Sequence, residues 1–225
     1  TPLYSSAASD VYKRQEDAST LAILGAGVLA MPHIEAVCAV RPIHRVHIWS
    51  RSGTSSGGRA AQLAERARAT LGVDVTLSES VEAAVTNADV VCTITASRTP
   101  VLEGRWLASG THVNAVGASI RDARELDSDA IVKSRLYADR RESVMAESGD
   151  FLIPLAEGVI TTEHLIAELG EVVNGTHPGR STNDEITVFK SLGLAVEDVA
   201  ALRHIYEGAV ATGQGTSIDL GGTRH

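Results

Sequence analysis

Short apolar runs alternate with stretches of helical period along most of this chain. Residues 20–24 (TLAIL) form an apolar run that stops at a glycine, and Leu29, Ile34, Val37 and Val40 then recur at helical spacing. That order reads as strand, tight turn, helix. Residues 45–49 (RVHIW) make a second strand, followed by a Ser-, Thr- and Gly-rich loop over 50–58 and a helix over 60–71. Further strands are expected at 73–76, 89–95, 111–116 and 135–138, with a helix over 80–86 between two of them. The run DVVCTIT at 89–95 is almost continuously apolar or β-branched, as a strand covered on both faces should be. Strand and helix alternating over these six strands predict an α/β fold, a Rossmann-type doubly wound parallel sheet. Beyond residue 139 the rhythm changes. Helices are expected over 141–147 and 160–173, the latter stopped by Asn174-Gly175, then a strand at 186–190 and a long helix over 192–211. The Gly- and Thr-rich tail, 213–225, is expected to be loosely held.

Composition narrows this picture. At 225 residues and 44% apolar the chain can fill a real core, and its 4% aromatic content suits close strand-to-helix packing better than a β-sandwich. A formal net charge of −8, with the basic residues scattered, offers no footprint for nucleic acid or an anionic membrane. No run approaches the ~18 apolar residues of a membrane span, nor is there a signal-peptide pattern, so the expected address is the cytoplasm. Residues 1–15 have no period and read as foreign to the fold. The expected organisation is a dinucleotide-binding domain over 16–185, with 186–225 belonging partly to another domain. Cys38 and Cys92 lack any CxxC or metal-ligand spacing and read as buried thiols. The eight histidines form no HxxxH, and no metal site is expected.

The candidate chemistry lies at the strand ends. Gly25-Ala26-Gly27-Val28-Leu29-Ala30 is a GxGxxA turn between strand and helix. Such a turn needs one glycine to bend, a second to admit a pyrophosphate against the backbone, and a small third residue for helix-on-strand packing. The second strand closes in Ser50-Arg51-Ser52, and the next acid is Glu65, inside the following helix. An acid at that position would accept from a ribose 2′-hydroxyl, whereas Arg51 with Ser50, Ser52 and Arg59 suits a 2′-phosphate. The expected cofactor is therefore NADP(H) before NAD(H). Thr93, Thr95 and Ala96 close the fourth strand, and Val116, Gly117 and Ser119 the fifth, at the edge where an open α/β sheet holds its ligand. No GxSxG elbow and no P-loop lysine are present.

The stretches LAILGAGVLAMPH, VHIWSRS, ADVVCTITASRTPVLEGRWLASGTHVNAVGAS, RELD, ESGD, ELGEVVNG and TVFKSLGLAVEDVAA follow one another from about Ala18 onward. In order and spacing the chain resembles the ornithine cyclodeaminase and mu-crystallin family. The resemblance implies a nicotinamide-binding Rossmann domain, a second domain that dimerises and holds a small amino or imino acid, and hydride transfer at a carbon bonded to nitrogen. It places Ser191, in the last of these stretches, with the cofactor contacts. The family's substrate-carboxylate arginine and lysine have no counterpart in this sequence, which enters at the first Rossmann strand, so the chain alone is expected to be inactive. Cyclodeaminases of the family carry an aspartate where this chain has Ser119. A hydroxyl does not take up a proton near neutral pH without a base to activate it, and no such base is identified. The expected activity is thus reduction of small cyclic imino acids or oxidation of amino acids, with ornithine cyclodeamination and a non-catalytic NADPH-binding protein as the alternatives. No residue is assigned a catalytic role.

Overall fold

The computed structural model describes residues 17–218 and residue 221. Residues 1–15, expected to be foreign to the fold, lie outside the described residues, as does most of the end of the tail. The chain forms two units, one reaching to Leu192 and one beginning at Gly193.

In the first unit eight strands, among the described residues, form one sheet in the order β3-β2-β1-β4-β5-β8-β6-β7, every neighbouring pair parallel. The strands are β1 (Thr20–Leu24), β2 (Arg45–Trp49), β3 (Asp74–Leu77), β4 (Val90–Thr93), β5 (His112–Ala115), β6 (Ser134–Ala138), β7 (Leu165–Glu168) and β8 (Ile186–Lys190). The connecting helices are α1 (Ala30–Val40), α2 (Arg59–Leu71), α3 (Val81–Val85), α4 (Ser128–Val132), α5 (Arg141–Glu147), α6 (Gly149–Ala156) and α7 (Leu169–Val173). β1, β4 and β5 are buried along their whole length, which is why their sequences carry no polar alternation. Side chains nevertheless alternate between two cores. Ala22, Leu24, Val91, Val113 and Ala115 face one, with Phe151 and Leu126; Leu21, Ile23, Val46, Ile48, Val90 and Cys92 face the other, with α1 and α2. Two of the short helices start where a side chain satisfies a free amide: Ser80 Oγ accepts from the Ala83 N–H at α3, and an Asp127 carboxylate oxygen from the Ala130 N–H at α4.

Two expectations are corrected, and one helix is added. Residues 160–173 are not one helix but a 3-10 turn at Thr162–His164, strand β7 and the short helix α7. Ile160, Leu165, Leu169 and Val172 recur near helical spacing, yet pairing of β7 with β6 decides the conformation and leaves the edge strand half covered. β8 is not separate from the preceding strands: it lies inside the sheet between β5 and β6, and the division between the two units falls at Leu192/Gly193 rather than before residue 186. Helix α6, eight residues long, has no counterpart among the expected elements; Pro154 within it only removes one intrahelical donor. In the second unit α8 (Ala195–Thr212) is the expected long helix, ending at Gly213 in the left-handed conformation.

Gly149, where α6 begins, allows a close approach of the helix to the loop over 121–123. A Cβ there would fall on the carbonyl oxygen of Ala123 and 2.9 Å from that of Arg121. Gly149→Ala is expected to cost about 1–3 kcal/mol through overpacking, read as a lower denaturant midpoint. Gly170→Ala in α7, with nothing within 4 Å of the new Cβ, should be neutral or stabilising. Equal behaviour of the two variants would contradict this packing.

Candidate functional site

The strand order runs outward in both directions from β1 and β4, so the crossovers leave the sheet on opposite sides and open a crevice at the carboxyl ends of these two strands. Gly25 bends the chain out of β1 at φ +119°. Its N–H donates to the Trp49 carbonyl at 2.8 Å, and a Cβ would stand 2.8 Å from the Ile94 carbonyl oxygen. Only glycine meets both conditions. Gly27 differs: nothing lies within 4 Å of where its Cβ would be, so its bareness leaves open space rather than relieving a clash. α1 starts at Ala30, itself fully buried, with no side-chain cap, and Val28 and Leu29 stand exposed in the turn before it. The uncapped end keeps amide donors and the positive end of the helix dipole toward the crevice.

A cleft of about 630 Å³ follows, lined by Gly25, Ala26, Gly27, Trp49, Ser50, Arg51, Ser52, Arg59, Ile94, Thr95 and Ala96. The structure thus gathers nine of the residues named from the sequence, Ala26 of the turn and Arg59 included, and adds Trp49 and Ile94. Among the described residues its charged lining is cationic, from Arg51 and Arg59, with no carboxylate. The Arg51 guanidinium donates to Ser97 Oγ at 3.0 Å, reaching from the end of β2 to the loop after β4, and the Ser50 and Ser52 hydroxyls are 2.8 Å apart. Val28 borders an adjoining groove with Met31, Leu63, Gln62, Arg59 and Arg66.

At the ends of β4 and β5 the structure shows what apolar patterning hid. Thr93 does not line the cleft: it is fully buried, and its hydroxyl donates to Glu125 at 2.8 Å. Among the described residues the Glu125 carboxylate accepts four hydrogen bonds: from the Thr95 N–H (2.6 Å) and hydroxyl (2.7 Å) on one oxygen, from the Gly117 N–H (2.7 Å) and the Thr93 hydroxyl on the other. Burial pushes the Glu125 carboxyl above its usual range, against the pull of the Thr95 donors and the Lys190 ammonium. Gly117 is bare for packing, since a Cβ would meet Thr95 and stand 2.6 Å from Glu125 Oε1. Asp150 accepts the N–H groups of Glu125 (2.8 Å) and Leu126 (3.0 Å). Its other oxygen faces Lys190 Nζ at 3.0 Å in a buried ion pair outside hydrogen-bond geometry, and Nζ also donates to the Ala118 carbonyl at 2.5 Å. Ser119 is exposed one residue further on. Ser191 is buried, its N–H bonded to the Ala115 carbonyl at 3.0 Å and its hydroxyl without a partner among the described residues. Glu125 and Asp150 stand in the RELD and ESGD stretches that carry the family resemblance, but no local pattern marks them as buried. Among the described residues no three His, Cys, Asp or Glu side chains could hold a metal ion. Cys92 is buried as expected, whereas Cys38 is only partly so, and desolvation raises its thiol to about 11.

The model of the ornithine cyclodeaminase/mu-crystallin family matches residues 4–213. The chain belongs to this family. Ketimine reductase mu-crystallin of Macropus fuliginosus is 40% identical over 202 residues, covering 90% of this chain and 59% of that protein. Delta(1)-pyrroline-2-carboxylate reductase of Bacillus thuringiensis is 35% identical over 207 residues, covering 92% and 62%. Among solved structures, the Thermococcus litoralis delta(1)-pyrroline-2-carboxylate reductase in complex with NADH and L-proline superposes with a TM-score of 0.92 at 40% identity, over 96% of this chain and 66% of that one. The chain thus spans about six tenths of the length of its curated family relatives.

Because Gly27 faces open space, Gly27→Val should fill the cleft without disturbing the fold. Stability is expected to move by no more than about 0.5 kcal/mol, as at a surface site, while binding of a nicotinamide dinucleotide, followed by its fluorescence, is abolished. Retained binding with an unchanged melting curve would remove the turn from the site.

Proposed function

We propose that this chain is the dinucleotide-binding portion of an NADPH-dependent reductase of small cyclic imino acids, working as a homodimer together with the region that its longer relatives also contain. The observation that carries the reading is the cleft itself: a glycine turn with open space at Gly27, an uncapped helix beyond it, and two arginines but no carboxylate among the described lining residues. The turn and the start of α1 would receive the pyrophosphate. Arg51 and Arg59, with the hydroxyls of Ser50 and Ser52, would receive the 2′-phosphate, so NADPH is expected to bind in preference to NADH, the cofactor held by the Thermococcus relative. Thr95, Ala96, Val116, Gly117, Ser119 and Ser191 would face the nicotinamide half, and the unpartnered Ser191 hydroxyl fits such a contact. When bound, the reduced cofactor supplies the hydride for a C=N carbon. The second unit, whose helix α8 carries exposed Val196, Val199, Leu202 and Ile205, is assigned to the dimerising, substrate-holding portion.

Ser119 favours imine reduction over cyclodeamination. An imine can arrive already protonated on nitrogen, so a hydroxyl that orients water suffices, whereas expelling ammonia from a diamino acid calls for a positioned carboxylate.

Two outcomes are expected. Titration with both cofactors should show tighter binding of NADPH, and Arg51→Ala should remove about 1.5–3 kcal/mol of charge-assisted hydrogen bonding, roughly tenfold or more in affinity, from NADPH alone. Equal affinity of the unsubstituted chain for NADPH and NADH would end the 2′-phosphate assignment. In a form extended to the length of the relatives, cyclic ketimines should be reduced, and ornithine should release ammonia slower by about 10²- to 10⁴-fold, the usual contribution of a positioned acid or base. Rapid ammonia release would return the protein to the cyclodeaminases.

A further inference from the structure

Glu125, Asp150 and Lys190 lie away from the cleft lining, yet together they span both strand ends that border it. Each is at most 2% exposed, and burying such groups is costly unless their partners are fixed. The partners here are mostly backbone. Glu125 takes one N–H from the end of β4, at Thr95, and one from just beyond β5, at Gly117, a separate carboxylate oxygen for each. Asp150 in turn holds the N–H groups of Glu125 and Leu126, so the carboxylate is set from behind by the start of α6. Lys190, at the end of β8, closes the circuit: it pairs with Asp150 and donates to the carbonyl of Ala118. The two residues before Ser119 are therefore tied on opposite sides, Gly117 through its N–H to Glu125 and Ala118 through its C=O to Lys190.

We infer that Glu125 is a positioning residue for the cofactor: it fixes the distance between the ends of β4 and β5, and with Asp150 and Lys190 it sets the turn carrying Ser119, so that the nicotinamide half finds a preformed seat. This rests on the reading of the cleft as a dinucleotide site. Four donors converge on the carboxylate, so both oxygens must accept. A glutamine keeps the shape but turns an N–H₂ group toward a backbone N–H of either Thr95 or Gly117, and one strand end must then retreat. The adenosine half, at the ends of β1 and β2, is joined to Thr95 at one remove, through Ser97, whose N–H donates to the Thr95 hydroxyl and whose Oγ accepts from Arg51, and should respond far less.

The experiment is calorimetric titration of the 225-residue chain with NADPH and with 2′,5′-ADP, which carries the adenosine half alone; if the chain prefers NADH, the pair is NADH and ADP. For Glu125→Gln, dinucleotide affinity should fall about tenfold, the scale of one unsatisfied buried donor, while affinity for the adenosine half stays within about twofold. Thr93 offers a milder version, since it touches Glu125 from outside the cleft. Thr93→Val should weaken the dinucleotide but not its half, and Thr93→Ser, which keeps the donor, should restore it. If Glu125→Gln does not fold, the Thr93 pair decides. A parallel loss for both ligands, no loss for either, or failure of Thr93→Ser to restore binding would overturn the positioning role. An unsubstituted chain that binds the adenosine half and the dinucleotide equally well would also refute it, because no nicotinamide seat would then exist. Binding of neither ligand would refute the dinucleotide site itself.

Discussion

The main chain at Gly25 is where three strand ends are held together, and the crevice exists because that point carries no side chain. Its N–H is bonded to the carbonyl closing β2, a Cβ on it would stand only 2.8 Å from the carbonyl oxygen of Ile94 after β4, and the Ile94 N–H returns a bond to Leu24 at the end of β1. With β1, β2 and β4 drawn this close, the chain must leave upward into α1, and the start of that helix is left over the gap. A side chain at Gly25 would force β1 and β4 apart where their crossovers diverge. The neighbouring Gly27, with free space around it, then serves ligand access rather than packing.

Around this apolar junction the second half of the edge is organised by charge. Glu125, Asp150 and Lys190 are at most 2% exposed, so they are tolerated because backbone groups, two hydroxyls and one another serve as their partners. A network of this kind has a narrow set of acceptable geometries, whereas the alanine- and valine-rich contacts beneath it would tolerate small slips. The apolar clusters give the sheet its stability, and the polar network gives its edge a defined shape.

The buried strands could be read from the sequence because a strand covered on both faces has no polar alternation, and the TLAIL and DVVCTIT runs end in glycine or hydroxyl residues as that edge requires. Gly25, Gly27 and Arg51 were legible through their spacing after β1 and β2. β7 was not, because a half-covered edge strand followed by a short helix spreads its apolar residues at nearly helical intervals, and only the neighbouring β6 decides between them. The buried charges were equally hidden. Local pattern marks a lone glutamate, aspartate or lysine as solvated, and their contacts join positions 25 residues apart (Glu125 and Asp150) and 40 apart (Asp150 and Lys190). Thr93 shows the same limit from the other side. It stands where a cofactor contact is expected, but its hydroxyl is already committed to Glu125.

Amide hydrogen exchange of the chain with and without NADPH tests most directly the claim that a nicotinamide dinucleotide lies across the Gly25 turn. The account predicts new protection at Ala26 to Ala30, at Ser50 to Ser52 and at Thr95 to Ala96, with the interiors of β1 and β4 unchanged because they are already buried. Protection confined to any other surface, or none at saturating NADPH and NADH, would contradict it.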